Sequence, residues 1–335
     1  MIRGLLALTA VVALSAVIAG AWLWRDYRGL MNAPLIEGAA ESGVIWVEPG
    51  YTLITLSSTL ETLGLTVSDW RWRLLGRLRE PVIRMGEYRI RPGETPLELL
   101  ERMERGDVIR HRFTIVEGWT LEHLRAELAA DPRIASSLAG VPDEDLMRRL
   151  GCDGCFAEGR FLPETYQYVR GDRDLDLLQR SFRAMQTVLA REWENRRSGL
   201  PLETPDELLI MASLIEMETM KAEERERVAG VFVRRLERGM RLQTDPTVVY
   251  GLGDDFDGRI RRRHLRTDHP WNTYTRHGLP PTPIGLPGPA SIHAAAHPAD
   301  GEALYFVARG DGSHHFSATL AEHNRAVARY ILGRE

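Results

Sequence analysis

Glu216 closes an uncharged run, Leu208 to Ile215, that reads as a buried helix. A carboxylate there must find a strong partner or keep its proton towards neutral pH, because desolvation disfavours the charged form. The second outcome makes a general acid. The first makes a structural ion pair with an Arg of a neighbouring helix. At helical spacing Glu216 shares its face with Leu208, Leu209, Ala212 and Ser213, all small or apolar. Glu218 lies on another side, close to Lys221, Glu223 and Glu224, and reads as a solvated or helix-pairing residue.

Other polar groups could hold a sugar. Gln243 and Asp245 fall on one side of an extended chain leading into a short expected strand, Thr247 to Tyr250, and offer an amide and a carboxylate to hydroxyls. Asp245 before Pro246 fits a helix N-cap equally well. Asn272 and Tyr274 flank a Pro-rich loop beside Trp271, whose flat face suits the apolar side of a sugar ring. His293 and His297 have the i, i+4 spacing of a helical metal site. But no Glu follows His293, Pro298 ends the segment, and Ala294 to Ala296 reads as close helix packing, so no metal is expected. There is no Gly-rich phosphate loop and no G-x-S-x-G, and no cofactor is expected.

The elements that must position these groups follow from punctuation and periodicity. A phrase recurs at Val47 to Leu53, Ile90 to Leu97 and Ile115 to Leu121: a β-rich stub, a Gly turn, then Thr52, Thr95 or Thr120 as a helix N-cap. The units are strand, turn, helix, spaced too irregularly for a solenoid. Thr95 to Glu98 has the form of a capping box with Pro at the first helical position. Helices are then expected over Asp174 to Arg197, Pro205 to about Met220 and Glu223 to Arg238. A loop-rich stretch from Gly251 to Pro289 follows. A hairpin comes next, Leu304 to Ala308 against His314 to Phe316, and Thr319 to Glu322 opens a last helix with a capping box.

No charged residue interrupts Gly4 to Trp24, a length sufficient to cross a bilayer, and Trp22, Trp24, Arg25, Tyr27 and Arg28 suit its boundary. A cleaved signal peptide is the rival, since Ala19-Gly-Ala21 has the form of a cleavage site. Residues 25–42 read as a tether. The body, with a net charge of -4 for the chain, is too balanced for a nucleic-acid-coating protein, and the Arg259 to Arg266 cluster reads as a solvated loop. Cys152 and Cys155 are the chain's two cysteines, too few for a zinc site, and would close a small loop in an oxidising compartment.

At Glu158 to Tyr166, Ala212 to Thr219, Arg241 to Tyr250, Trp271 to Tyr274, Gly278 to Pro281 and Glu322 to Asn324 the chain resembles the endolytic murein transglycosylases (YceG-like). It departs from the family's usual residues at Trp271, Thr282 and Leu286. The resemblance implies an α+β fold. Residues 1–3 would form a cytoplasmic tail and 4–24 a transmembrane helix in the inner membrane. Residues 43–112 would form a small α+β region with a LysM-like module at about 84–110, and 113–335 a mainly helical periplasmic catalytic domain with a C-terminal hairpin and helix. It implies Glu216 as catalytic residue, cleaving the MurNAc–GlcNAc bond of nascent glycan strands and leaving 1,6-anhydro ends. Candidate substrate-binding residues are Glu164, Gln243, Asp245, Asn272, Tyr274 and His314. Glu164 and Asp245 are also candidates for the second carboxylate that a hydrolase needs. Peptidoglycan strands and, through the tether, the glycan synthases would be partners. The rival readings are a membrane-anchored glycoside hydrolase and a non-catalytic wall-binding scaffold.

Overall fold

The computed structural model describes residues 2–36 and 43–334. The fold is mixed α+β, in two compact units: Met1–His111 with Val169–Gly171, and Arg112–Tyr168 with Asp172–Glu335.

In the first unit α1 (Ile2–Met31) is followed by β1 (Val44–Val47), α2 (Leu53–Thr62), α3 (Trp70–Arg79), β2 (Gly86–Arg89) and α4 (Pro96–Arg105). The expected tether is replaced in part by helix. α1 runs on to Met31, and Tyr27, Met31, Leu35 and Ile36 are buried with Trp72, Leu75 and Tyr88. Burial of those apolar side chains outweighs any tendency of the segment to stay extended. Residues 37–42 of that expected tether lie outside the described residues. Towards its start α1 exposes Leu6, Val11, Leu14, Ile18 and Trp22 at 60 to 65%, and the helix is long and apolar enough to cross a membrane, as a membrane anchor or a signal sequence would be. β1 and β2 pair antiparallel, Ile45 opposite Tyr88. The two-helix excursion between paired strands therefore spans Val44–Arg89, whereas 84–110 contains only one strand of that pair and α4. Thr95 and Glu98 form the expected capping box, and Thr52 caps α2.

The second unit contains β3 (His111–Thr114), α5 (Leu121–Ala130), α6 (Asp143–Arg149), β4 (Thr165–Tyr168) and α7 (Asp174–Glu194). It continues with α8 (Pro205–Glu218), α9 (Arg225–Glu237), α10 (Asp245–Leu252), α11 (Arg262–Arg266) and α12 (Pro289–Ala296). β5 (Tyr305–Ala308), β6 (His314–Ser317) and α13 (Leu320–Tyr330) complete it. β3 pairs with β4, and β5 with β6 in the expected hairpin, Val307 opposite His315. Thr319 and Glu322 make the second capping box. Cys152 and Cys155 form a disulfide.

α8 is the centre of this unit. Every residue from Leu208 to Ile215 is buried, so the helix is apolar on all sides and must be wrapped by others. α7, α9 and α12 pack against it, and Ala294, Ala295 and Ala296 bring α12 close because they carry so little side chain.

Two expectations fail here. Thr247 to Tyr250 is part of α10, not a strand: Thr244 takes the N-cap position, and Asp245 and Pro246 form the first turn, where an acid and a missing N–H both suit the helix. Gln243 just before it has φ +53°, so Gln243 and Asp245 do not share the face of a strand. The Arg259 to Arg266 cluster contains a helical turn, α11, with His264 buried, rather than a wholly solvated loop.

Candidate active site

Glu216 lies in the last turn of α8 with its side chain 6% exposed. The chain leaves α8 at Thr219, makes a 3-10 turn over Ala222–Glu224, and starts α9 with Arg225. This short return lets Arg225 reach back, its Nη2 3.4 Å from Glu216 Oε1. The other carboxylate oxygen, Oε2, accepts from the Gly288 N–H at 2.9 Å. Gly288 is the N-cap residue of α12, so the carboxylate sits where a helix N-terminus favours negative charge. Ser213, one turn earlier, accepts from the Ile284 N–H and so fixes the strand-like segment that ends at Gly288. Leu286 exchanges backbone hydrogen bonds with Gly118 and Trp119, tying that segment to the β3–α5 loop.

That loop brings a second carboxyl. Glu117 Oε2 lies 3.6 Å from the same Arg225 nitrogen. A Cβ on Gly288 would fall 1.9 Å from Glu117 Oε1, so a side chain at the α12 cap would displace the Glu117 carboxyl. Burial pushes the Glu117 carboxyl up, the negative charge of Glu216 adds to this, and Arg225 opposes both. Arg225 Nε is buried and has no hydrogen-bond partner among the described residues. The arrangement is two carboxyls sharing one guanidinium, with one of them held by a helix N-terminus. The Glu216 carboxyl thus has both an Arg partner and a backbone N–H donor.

The other expected site residues fall into separate groups. Glu218 is not solvated: it accepts from the Thr244 hydroxyl, and burial pushes its carboxyl up, opposed by that bond and by His314. Asp245 accepts from Tyr274 Oη at 2.5 Å, and its charge acts on Glu218. His314 on β6 is held by Glu224, Nδ1 to Oε2 2.7 Å. Glu218, bonded to Thr244, thus lies within electrostatic reach of Asp245, Tyr274 and His314 at the end of α8. Asn272 is 2% exposed and committed to its loop, donating to His264 and Thr267 carbonyls and accepting from the Tyr274 N–H. Gln243 is exposed. Glu164 is exposed too, its backbone carbonyl accepting from Ile115 N–H. Among the described residues the hydrogen-bond and ion-pair partners of the Glu216 carboxylate are Gly288 and Arg225, neither of which is Asp245 or Glu164.

A separate cleft of about 900 Å³ is lined by Leu121, Arg125, Glu158, Tyr250, His269 and Trp271 among others, and its lining does not include Glu216. Glu158 accepts from the Leu121 N–H at the start of α5 and from Tyr250 Oη at 3.2 Å. Gly159 after it has φ +79°, and a Cβ there would meet Pro283 at 2.6 Å, so only glycine admits this close approach. Trp271 stacks on His269 and donates from Nε1 to Thr282 Oγ1 at 2.9 Å.

The sequence profile of the YceG-like family matches residues 45–329. The chain belongs to the YceG-like family. A Bacillus subtilis (strain 168) protein named endolytic murein transglycosylase is 28% identical over 341 residues, covering 95% of this chain and 92% of its own. A protein of the same name from Streptococcus pneumoniae serotype 2 is 24% identical over 96% of this chain, which spans 64% of that relative. The crystal structure of a YceG-like protein from Listeria monocytogenes superposes with a TM-score of 0.57 at 26% identity, over 86% of this chain and 99% of the other.

For this YceG-like chain, Glu117, Arg225, Gly288 and Glu158 escaped the sequence reading. Glu117 and Gly288 stand in Gly-flanked loops far from Glu216 in sequence, and only the fold joins them. Glu158 had a signal, as a lone acid ahead of an apolar Phe-Leu-Pro stretch. Burial pushes its carboxyl from the ordinary 4.5 to about 7, against the hydrogen bonds from Leu121, Tyr250 and Gly159. A carboxyl whose folded pKa is raised stabilises the fold fully below its unfolded value, and that stability is lost as pH rises through the folded value. The window is therefore about pH 4.5 to 7. Glu158→Gln keeps an acceptor for Leu121 and should raise the melting temperature at pH 8 by several degrees, about 3 kcal/mol, with little change at pH 4.5. Thermal unfolding of both proteins at the two pH values checks it; a destabilised variant at pH 8 would contradict it.

Proposed function

We propose that this protein is a peptidoglycan lytic endotransglycosylase that cuts the MurNAc–GlcNAc bond and leaves 1,6-anhydro ends. The observation that carries this reading is the kinship, over nearly the whole chain, with proteins named endolytic murein transglycosylase. Glu216 suits the chemistry. Protonated, it gives its proton to the GlcNAc oxygen as the bond to MurNAc C1 breaks. As carboxylate it takes the proton of the MurNAc C6 hydroxyl while that oxygen bonds to C1. One proton leaves and one returns, and no water is consumed. Arg225 and the Gly288 N–H hold the carboxylate form between the two transfers.

Glu117 gives the hydrolase reading its best support, as a second carboxyl beside Glu216. Digestion of purified peptidoglycan with mass analysis of the products decides. We expect muropeptides lacking one water at the MurNAc end; reducing MurNAc ends alone would replace the transglycosylase with a hydrolase.

The remaining parts fit a wall enzyme acting beside the membrane. α1, one unbroken helix whose last turn belongs to the core of the first unit, is the anchor, with the body on the periplasmic side. The strand–helix–helix–strand span Val44–Arg89 is a better candidate than 84–110 for the LysM-like, glycan-holding module. Anchoring would favour strands still being polymerised, with glycan synthases as partners and strand termination as the outcome. In this reading Gln243, Asp245, Tyr274, His314 and Glu164 contact glycan, and Asn272 shapes the loop carrying Tyr274.

A further inference from the structure

His293 and His297 lack an acid in their own segment, but the fold supplies one from α7. Glu192 Oε2 lies 2.9 Å from His293 Nδ1 and 3.8 Å from His297 Nε2, and the three atoms lie within 4.8 Å of one another. We propose that Glu192, His293 and His297 form a divalent-metal site of the zinc type, which clamps the C-terminal end of α12 to α7.

The donor set is two imidazoles and a carboxylate, the combination that zinc accepts with a water as fourth ligand. Bonds of about 2.0 to 2.2 Å in a tetrahedron place ligand atoms roughly 3.3 to 3.6 Å apart. The spacings to Glu192 straddle that range, so small side-chain rotations close the site. The two rings, His293 in the last turn of α12 and His297 at its C-cap, lie with centroids 4.5 Å apart. Glu192 is the rigid member. Its side chain is 9% exposed, and its other oxygen, Oε1, accepts from Arg191 at 2.8 Å, which fixes the carboxylate and leaves Oε2 facing the histidines. The charge of Arg191 opposes a cation, but its side chain is 62% exposed and screened by solvent. His293, 53% exposed, and His297, 33% exposed, leave an entry path and room for water. On binding, the metal takes the place of the hydrogen on His293 Nδ1 that bridges to Glu192 Oε2, and the neutral imidazole then carries its single proton on Nε2.

The clamp bears on the candidate active site because α12 carries both. Its N-cap, Gly288, donates to Glu216, while its last turn and the residue after it present the two histidines. Metal at one end of so short a helix restrains the position of the other. The site itself stands independently of the reaction proposed above.

The test uses the full-length protein in detergent, stripped with a chelator and titrated with Zn²⁺ alone by calorimetry and thermal unfolding. One Zn²⁺ per chain and a rise of several degrees in melting temperature are expected. His293→Gln and His297→Gln should each weaken binding by about tenfold or more, with the metal-free melting temperature little changed, whereas His123→Gln on α5 should bind as the parent does. Should the histidine variants melt early without metal, Glu192→Asp, which retains the charge but withdraws the oxygen, provides the second comparison. Absence of binding, or equal affinity in parent and site variants, would overturn the proposal.

Discussion

Glu216→Gln lowers the rate of glycan cleavage by about a thousandfold or more and leaves the protein folded. General acid–base groups contribute about 10² to 10⁴ in rate, and this carboxyl is asked to act twice, first as donor and then as acceptor. The amide can do neither at the reacting oxygens. The fold should tolerate it, because the amide oxygen can still accept from the Gly288 N–H, and Arg225 keeps Glu117 as a counter-charge. The measurement is the initial rate of soluble product release from purified peptidoglycan, with the melting temperature of each protein alongside. A variant that melts like the parent and cuts within a fewfold of its rate would remove Glu216 from the mechanism. Glu117→Gln is then the informative partner. If Glu216 is the acid, loss of Glu117 changes the rate less than loss of Glu216; the reverse order would move the chemistry to Glu117.

The sequence made some of this legible and left some of it hidden, for physical reasons. Local signals were reliable where one segment decides its own structure. Thr95 with Glu98 and Thr319 with Glu322 cap helices as read, and the Gly310-Asp-Gly312 turn closes its hairpin. The uncharged run before Glu216 marked a helix buried on all sides. The strand expected at Thr247 to Tyr250 is helix because the Asp-Pro pair ahead of it starts α10 and outweighs the β propensity of its β-branched residues. Of the two readings of Glu218, solvated or helix-pairing, the second holds: it accepts from Thr244, the N-cap residue of α10, a companion that lies on another element. Arg225 looked like one charge among many at the head of an amphipathic helix, and only the length of the return from α8 sets its reach. Trp271 donates to Thr282, a bond between two positions of one irregular loop that no local pattern displays.

Replacing Arg225 is the second large effect, and its sign is set by the carboxyls it serves. Arg225→Met removes the positive charge between Glu117 and Glu216 while keeping much of the side-chain volume. The Glu117 carboxyl, already pushed up by burial and by Glu216, then loses the charge that opposed both and rises further. A carboxyl raised in the folded state contributes stability below its unfolded pKa, lost as pH climbs through the folded value. The variant should therefore match the parent most closely near the ordinary carboxyl range. It should lose stability progressively above it, by about 3 kcal/mol at alkaline pH, the scale for breaking the buried Arg225–Glu216 pair, with Glu117, 43% exposed and screened by solvent, adding less. Activity should follow the same proton. Without the guanidinium the carboxyl pair keeps one proton to higher pH, so the alkaline limb of the kcat/KM profile moves upward. The rate at the optimum falls at least tenfold because the carboxylate form loses a partner needed for the second transfer. Melting temperatures and pH–rate profiles of both proteins from pH 4.5 to 8.5 test this. An unmoved alkaline limb together with pH-independent destabilisation would make Arg225 a packing residue and leave the Glu216 carboxylate to the Gly288 N–H alone.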